Sequence, residues 1–255
     1  MSILNIHEFG DPGGEVLVAI HGITGHGRRF RRLAEEAWPQ RSTVAVDLRG
    51  HGRSLSNGPW SIAQHVADIL DTLDASDIAT ADLIGHSYGG VIACHLLAAA
   101  PERINRLVML DPAFHRPAEL MNERAMAEID DPGFASVDEA MFAEMDGFDD
   151  HVLPAAQENV HEHLVHGRDG RYRFRYHRPA VIAGWGELCS PVPTITESRP
   201  TLAVAAERSG FVTPVILADL RASLGDDLHV AHIDSGHTLD WERFEDTVAA
   251  MTAFL

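Results

Sequence analysis

Two cysteines, Cys94 and Cys189, are all that the 255 residues contain. A pair so far apart builds neither a disulfide framework nor a zinc site, and it fits a reduced compartment. Positive charge is scarce too: 20 Lys and Arg stand against 38 Asp and Glu, a net charge of −18. A surface that acidic repels phosphate backbones and anionic lipid, which argues against nucleic acid as a partner. No run reaches the roughly 18 consecutive apolar residues of a membrane span. The opening MSILNIHEFGDPGG has no basic region, apolar stretch or small-residue cleavage site of a secretory signal. There is no internal repeat and no low-complexity tract. The expectation is a cytoplasmic protein that meets neither membrane nor nucleic acid, of unknown oligomeric state.

What is present is apolar material in short blocks. Hydrophobic residues make up 45% of the chain, enough for a sizeable core. Runs rich in Val, Ile and Leu fall at Val16 to Ile20, Thr43 to Val46, Asp82 to Ile84, Arg106 to Leu110, Thr201 to Ala205 and Leu228 to Ile233. Helical patterns fall between them, near 28–38, 61–74, 88–100, 213–224 and 241–254. That alternation predicts an α/β fold, a mostly parallel, doubly wound sheet flanked by helices. The rhythm fails from about 113 to 198. So long a stretch is not a loop in a compact domain. It reads as an inserted helical cap at 113–199, with the core formed by 1–112 and 200–255.

Three glycine-containing motifs sit at strand ends. Gly85-His86-Ser87-Tyr88-Gly89-Gly90 joins the strand ending at Ile84 to a helix that begins near Val91. A G-x-S-x-G sequence there forms a sharp strand-to-helix turn that presents the serine, with glycines where side chains would collide. His21-Gly22-Ile23-Thr24-Gly25 follows the strand Val16 to Ile20, and Ser235-Gly236-His237 follows the strand Leu228 to Ile233. A fourth run, Asp47-Leu48-Arg49-Gly50-His51-Gly52-Arg53-Ser54, has the glycines of a tight loop and two charges able to brace its neighbours.

In this order, the motifs make the chain resemble the α/β-hydrolase fold family over roughly 1–112 and 200–255. The resemblance implies an esterase- or lactonase-like serine hydrolase. Ser87 is then the nucleophile, and His237 the base that takes its proton and returns it to the leaving group. The backbone N–H groups of Ile23 and Tyr88 form the oxyanion hole. His86 and His21 take supporting positions.

The triad acid is less direct. The family usually places it after the strand that follows the cap, but Ala205-Ala206-Glu207-Arg208-Ser209 puts Ser209 at that position. Asp111, at the end of the strand Arg106 to Leu110, is the preferred acid, because strand ends face the catalytic crevice. Glu207 is the alternative. Asp234 lies too near His237 in sequence to fold back, and Asp240 is weaker still.

Other features have plainer readings. His161, His163 and His166 lack the i, i+4 spacing of a helical metal site and read as a solvated helix. The basic, aromatic run at 168–178 (RDGRYRFRYHR) reads as salt bridging between cap and core. Trp60, Trp185, Tyr88 and Phe114 are core residues by default and pocket walls by option. No cofactor or metal motif occurs. The expected partner is a small-molecule ester or lactone. Serine at the elbow argues against the epoxide and halide chemistry of relatives with aspartate there. Thioester or carbon–carbon bond hydrolysis, cofactor-free perhydrolysis and acyl transfer stay open. So does a different class, a non-catalytic ligand-binding member of the fold.

Overall fold

A computed structural model describes residues 3–255. The chain begins with an antiparallel edge strand, β1 (Ile6–Gly10), followed by β2 (Val16–Ile20). A 3-10 turn at Gly27–Phe30 and a single π turn at Leu33–Ala37 replace the helix expected near 28–38. There follow β3 (Ser42–Val46), α1 (Ile62–Ala75), β4 (Ala81–His86), α2 (Tyr88–Ala99) and β5 (Ile104–Leu110).

Between β5 and the next core strand lies the irregular stretch. It holds α3 (Ala118–Asp130), α4 (Val137–Glu144), α5 (Leu153–His163), the short hairpin β6 (Leu164–His166) and β7 (Tyr172–Phe174), and α6 (Arg178–Glu187). The core resumes with β8 (Thr201–Ala206), α7 (Pro214–Leu224), β9 (Leu228–Ile233), α8 (Leu239–Glu242) and α9 (Phe244–Thr252). The single helix expected over 241–254 is broken at Arg243, whose φ and ψ of −140° and 55° are not helical.

The main sheet has seven strands in the order β1-β3-β2-β4-β5-β8-β9, parallel throughout except for β1. The central strands β2, β4, β5 and β8 are apolar on both faces because helices cover both. Leu83 and Met109 pack with Ile92, Leu96 and Ile69 on one side. Ile84 and Val108 pack with Phe30, Leu33 and Met251 on the other. Local signals set the helix starts. Ser61 accepts a hydrogen bond from the Gln64 amide at the start of α1, and Thr213 accepts one from Ile216 just before Pro214. Such caps satisfy amides that have no intrahelical acceptor. β1 carries no apolar run, because IHEFG mixes polar with apolar residues, as a half-exposed edge strand does.

Two expectations about the insertion need correction. Among the described residues the basic run does not salt-bridge to the core: Arg173 pairs with Asp169, and Arg178 with Asp131, both inside the insertion. The run meets the core through backbone instead, with the Gly52 amide donating to the Arg175 carbonyl and the His177 amide to that of Gly50. Nor is the histidine cluster all solvated. His163 is buried at 1% exposure and stacks on His26 of the core, with centroids 4.4 Å apart. Helix α5 packs one face on the core, burying His163 and leaving His161 outside, while His166 lies beyond the helix in β6.

Candidate active site

Ser87 occupies the turn between β4 and α2 with φ 56° and ψ −117°. That is a left-handed conformation which costs a side-chain-bearing residue on the order of 1–3 kcal/mol. The turn is locked from below: the Ser87 amide donates to the Leu110 carbonyl at 2.9 Å. Its glycines are required by space. A Cβ on Gly85 would lie 2.4 Å from the Gly89 oxygen, and one on Gly89 would lie 2.1 Å from the Ile20 oxygen. The hydroxyl of Ser87 does not cap α2, so it is free for other chemistry. As the first residue of α2, Tyr88 holds an amide with no intrahelical acceptor.

The loop after β2 lies against this turn. A Cβ on Gly22 would sit 3.1 Å from the Ser87 Cβ. His21 fixes the loop from both ring nitrogens: Nε2 accepts from the Leu48 amide at 2.9 Å, and Nδ1 donates to the Gly22 carbonyl at 2.7 Å. Burial holds this ring neutral, well below the ordinary imidazole range. Thr24 turns the loop with φ 62°. Among the described residues the amides of Ile23 and Tyr88 have no backbone acceptor.

His237 stands on the loop after β9. Its Nδ1 lies 2.6 Å from Oδ2 of Asp111, whose side chain is wholly buried. Oδ1 of the same carboxylate accepts from the Ala206 amide at 3.2 Å. Asp111 thus reaches across the end of β8 to the loop after β9, an arc set by the order β5-β8-β9. Ser209 donates its hydroxyl hydrogen bond to the Ala206 carbonyl at 2.9 Å and accepts from the Phe211 amide at 3.1 Å, closing the turn after β8. Glu207 is exposed and makes no side-chain hydrogen bond among the described residues.

Two ring contacts set the imidazole. Phe211 lies on one side with centroids 4.1 Å apart, and His86 lies 4.7 Å away. His86 donates from Nε2 to the His237 carbonyl at 2.9 Å. Burial first, and the nearby His237 second, lower the His86 ring to about 3, so it holds the loop as a neutral donor. Arg116 lies over the ring of Phe211, 4.0 Å from its centroid.

The aspartate-arginine loop after β3 is a brace. Asp47 accepts from the Gly27 and Arg53 amides at 2.8 and 2.9 Å. Arg49 forms a bidentate pair with buried Asp68, both contacts 2.6 Å. Tyr88 and Phe114 are fully buried, while Trp60 and Trp185 are partly exposed.

The seam between core and insertion went unseen in the sequence. His26 Nε2 is 2.9 Å from the Asn159 side-chain oxygen, which also accepts from Arg29 Nε at 2.9 Å. Arg28, Arg29 and Arg31 pair with Glu162, Glu144 and Glu158 at 2.9, 3.2 and 2.7 Å. The signal was there: GRRFRR faces ENVHEH across 130 residues of chain. No local rule pairs two such segments.

The family model for the alpha/beta hydrolase fold matches residues 15–144. Lipase LipV of Mycobacterium tuberculosis is 32% identical over 99% of this chain and 97% of its own. The chain belongs to the α/β-hydrolase fold family. Among solved structures, a marine microorganism esterase superposes with TM-score 0.83 at 21% identity, covering all of both chains. E-2-(acetamidomethylene)succinate hydrolase superposes with TM-score 0.85 at 22% identity, covering 98% of this chain and 94% of that one. These two likenesses bear on the fold. No helix among the described residues is long and apolar enough to cross a membrane.

Proposed function

We propose that this member of the family is a serine hydrolase which cleaves a carboxylic ester or lactone through an acyl-enzyme. The observation that carries the reading is the 2.6 Å contact between Asp111 and His237 beside the strained turn of Ser87. Asp111 holds the imidazole in the tautomer with Nδ1 protonated, which leaves Nε2 to take a proton, and it stabilises the imidazolium once formed. Ser87 then attacks the carbonyl carbon while Nε2 accepts its proton. The amides of Ile23 and Tyr88 receive the developing oxyanion, a contribution of about 3 kcal/mol for each well-placed donor. His237 returns the proton to the leaving alcohol. A water, activated the same way, releases the acid.

The insertion is assigned the role of a cap. Its helix α6 lies directly over the oxyanion loop and elbow: a Cβ on Gly184 would be 3.0 Å from Ile23 and 3.6 Å from Tyr88. A roof that close excludes water and limits the acyl group.

The test is hydrolysis of short-chain p-nitrophenyl esters by wild type and Ser87→Ala. Turnover by wild type that drops by several orders of magnitude in the variant supports the reading. A wild type inert on esters and lactones would favour the carbon–carbon, thioester or ligand-binding alternatives.

A further inference from the structure

Arg116 is a half-buried cation with no carboxylate in contact. Acidic residues outnumber basic ones by 38 to 20 in this chain, so a guanidinium readily finds a partner. Among the described residues Arg116 has none within ion-pair distance, and its buried Nε has no hydrogen-bond partner. Leaving such a group unpaired costs free energy unless something else uses it. What the guanidinium meets is the ring of Phe211, 4.0 Å from its centroid, and Phe211 in turn meets the ring of His237 with centroids 4.1 Å apart.

Three loops build this stack. Arg116 follows Asp111 on the loop after β5, where His115 turns the chain with φ 52°. The amides of His115 and Arg116 donate to the Ser190 and Leu188 carbonyls at 3.1 and 3.0 Å, which ties the backbone under the guanidinium to the end of α6. The His115 ring pairs with Asp219 of α7 and not with Arg116's neighbours in the stack. Phe211 comes from the loop after β8. Its amide donates to the Ser209 hydroxyl at 3.1 Å, and that hydroxyl donates to the Ala206 carbonyl at 2.9 Å. Ser209, at the position where an acid was expected, thus holds an aromatic ring in place. The loop after β9 brings His237, whose Nδ1 meets Asp111.

Such a stack bears on the imidazole in two ways. A ring packed against it limits its rotation and keeps Nδ1 on Asp111. The guanidinium adds a charge that no contacting carboxylate cancels. Asp111 attracts that charge, which favours the carboxylate form, whereas a cation near an imidazole disfavours the imidazolium. The path from Arg116 to His237 runs through a phenyl ring, where screening is weaker than in water. Asp111, His86 at the end of β4 and Asp240 in α8 also act on His237, and Glu242 holds the amide of the adjoining Gly236.

We infer that Arg116, acting through Phe211, is a positioning residue for the reaction: the pair holds the His237 ring on Asp111 and sets the charge balance in which that ring takes the serine proton. This rests on the ester-hydrolase reading and adds to it two residues that work through the base.

The experiment is steady-state hydrolysis of p-nitrophenyl acetate by the full chain, followed across neutral pH. Arg116→Met keeps the stem and removes the charge, Arg116→Lys keeps the charge, and Phe211→Leu removes the ring. Arg116→Met should raise the midpoint of the kcat/KM profile by about 0.5 pH units and lower kcat by about fivefold, with KM within about twofold of wild type. Arg116→Lys should keep the wild-type midpoint and recover most of kcat. Phe211→Leu should lower kcat by about tenfold and spare KM. Circular dichroism establishes that each variant is folded, and Phe211→Leu carries the test if Arg116→Met does not fold. A folded Arg116→Met enzyme with wild-type kcat and midpoint overturns the inference. So does a change confined to KM, which would make Arg116 a substrate contact, and so does an Arg116→Lys enzyme that behaves like Arg116→Met. A folded Phe211→Leu enzyme with wild-type kcat overturns it as well. An inert wild type sinks the ester reading itself, whereas an active one isolates this inference.

Discussion

Asp111 and His237 are separated by 126 residues and touch at 2.6 Å. Asp111 follows the end of β5, its backbone amide donates to the Val204 carbonyl at 2.8 Å, and its carboxylate spans the end of β8. Replacing it by asparagine keeps the shape and loses the charge. Asp111→Asn should lower kcat by about 10³- to 10⁴-fold with little change in melting temperature, while Glu207→Gln stays near wild type. Steady-state kinetics on an ester that wild type cleaves checks both. A dead Glu207→Gln enzyme would transfer the role to Glu207.

Strain at the elbow predicts a trade between stability and activity. Ser87 sits at φ 56°, where glycine is at ease. Ser87→Gly should abolish turnover yet raise unfolding free energy by about 1 kcal/mol relative to Ser87→Ala. Urea melts of the two inactive variants measure this directly. Equal stability would mean that the turn is not strained.

Two glycines should respond in opposite directions. At Gly89 an added methyl meets the Ile20 oxygen at 2.1 Å, so Gly89→Ala should cost about 3 kcal/mol or prevent folding. Gly186, in α6, has open space around its missing Cβ. Gly186→Ala should stabilise by about 0.5–1 kcal/mol. Thermal denaturation reads both.

Buried histidines set an acid limit. Burial, the largest cause in each case, lowers His26, His65 and His86 to about 3 and His51 to about 4. In the unfolded chain each takes a proton near pH 6.5, so below that pH the unfolded state binds more protons and stability falls. The loss is on the order of 2 kcal/mol per histidine by about pH 5. Asp240 acts the other way. Burial raises it to about 6 against the pull of Arg29, so its contribution is present at low pH and fades as pH rises through about 6. Four histidines outweigh one carboxyl, and urea unfolding from pH 7.5 down to 4.5 should show a steady decline. A flat profile would mean that these rings are not held neutral.

The sequence by itself determined the parts whose causes are local. Buried parallel strands are apolar on both faces, so β2 to β5 and β8 were legible as apolar runs, while β9, at the sheet edge, was legible from its Leu, Val and Ile alone. The elbow was legible because only glycine fits at Gly85 and Gly89. His237 stood out by its place between a strand and a final helix. The edge strand β1 and the break at Arg243 were hidden, because exposure and packing set them rather than pattern.

Tertiary structure alone decided the relationships between segments distant in the chain. It brought Asp111 rather than Glu207 to His237, since a side chain's reach across a sheet depends on strand order. It also closed the seam of His26, Arg29, Asn159 and His163, and left the basic run pairing within its own insertion. The contacts of His237 with Asp111 and of Asn159 with His26 and Arg29 join residues more than a hundred positions apart, and no local propensity encodes which surface a helix will meet.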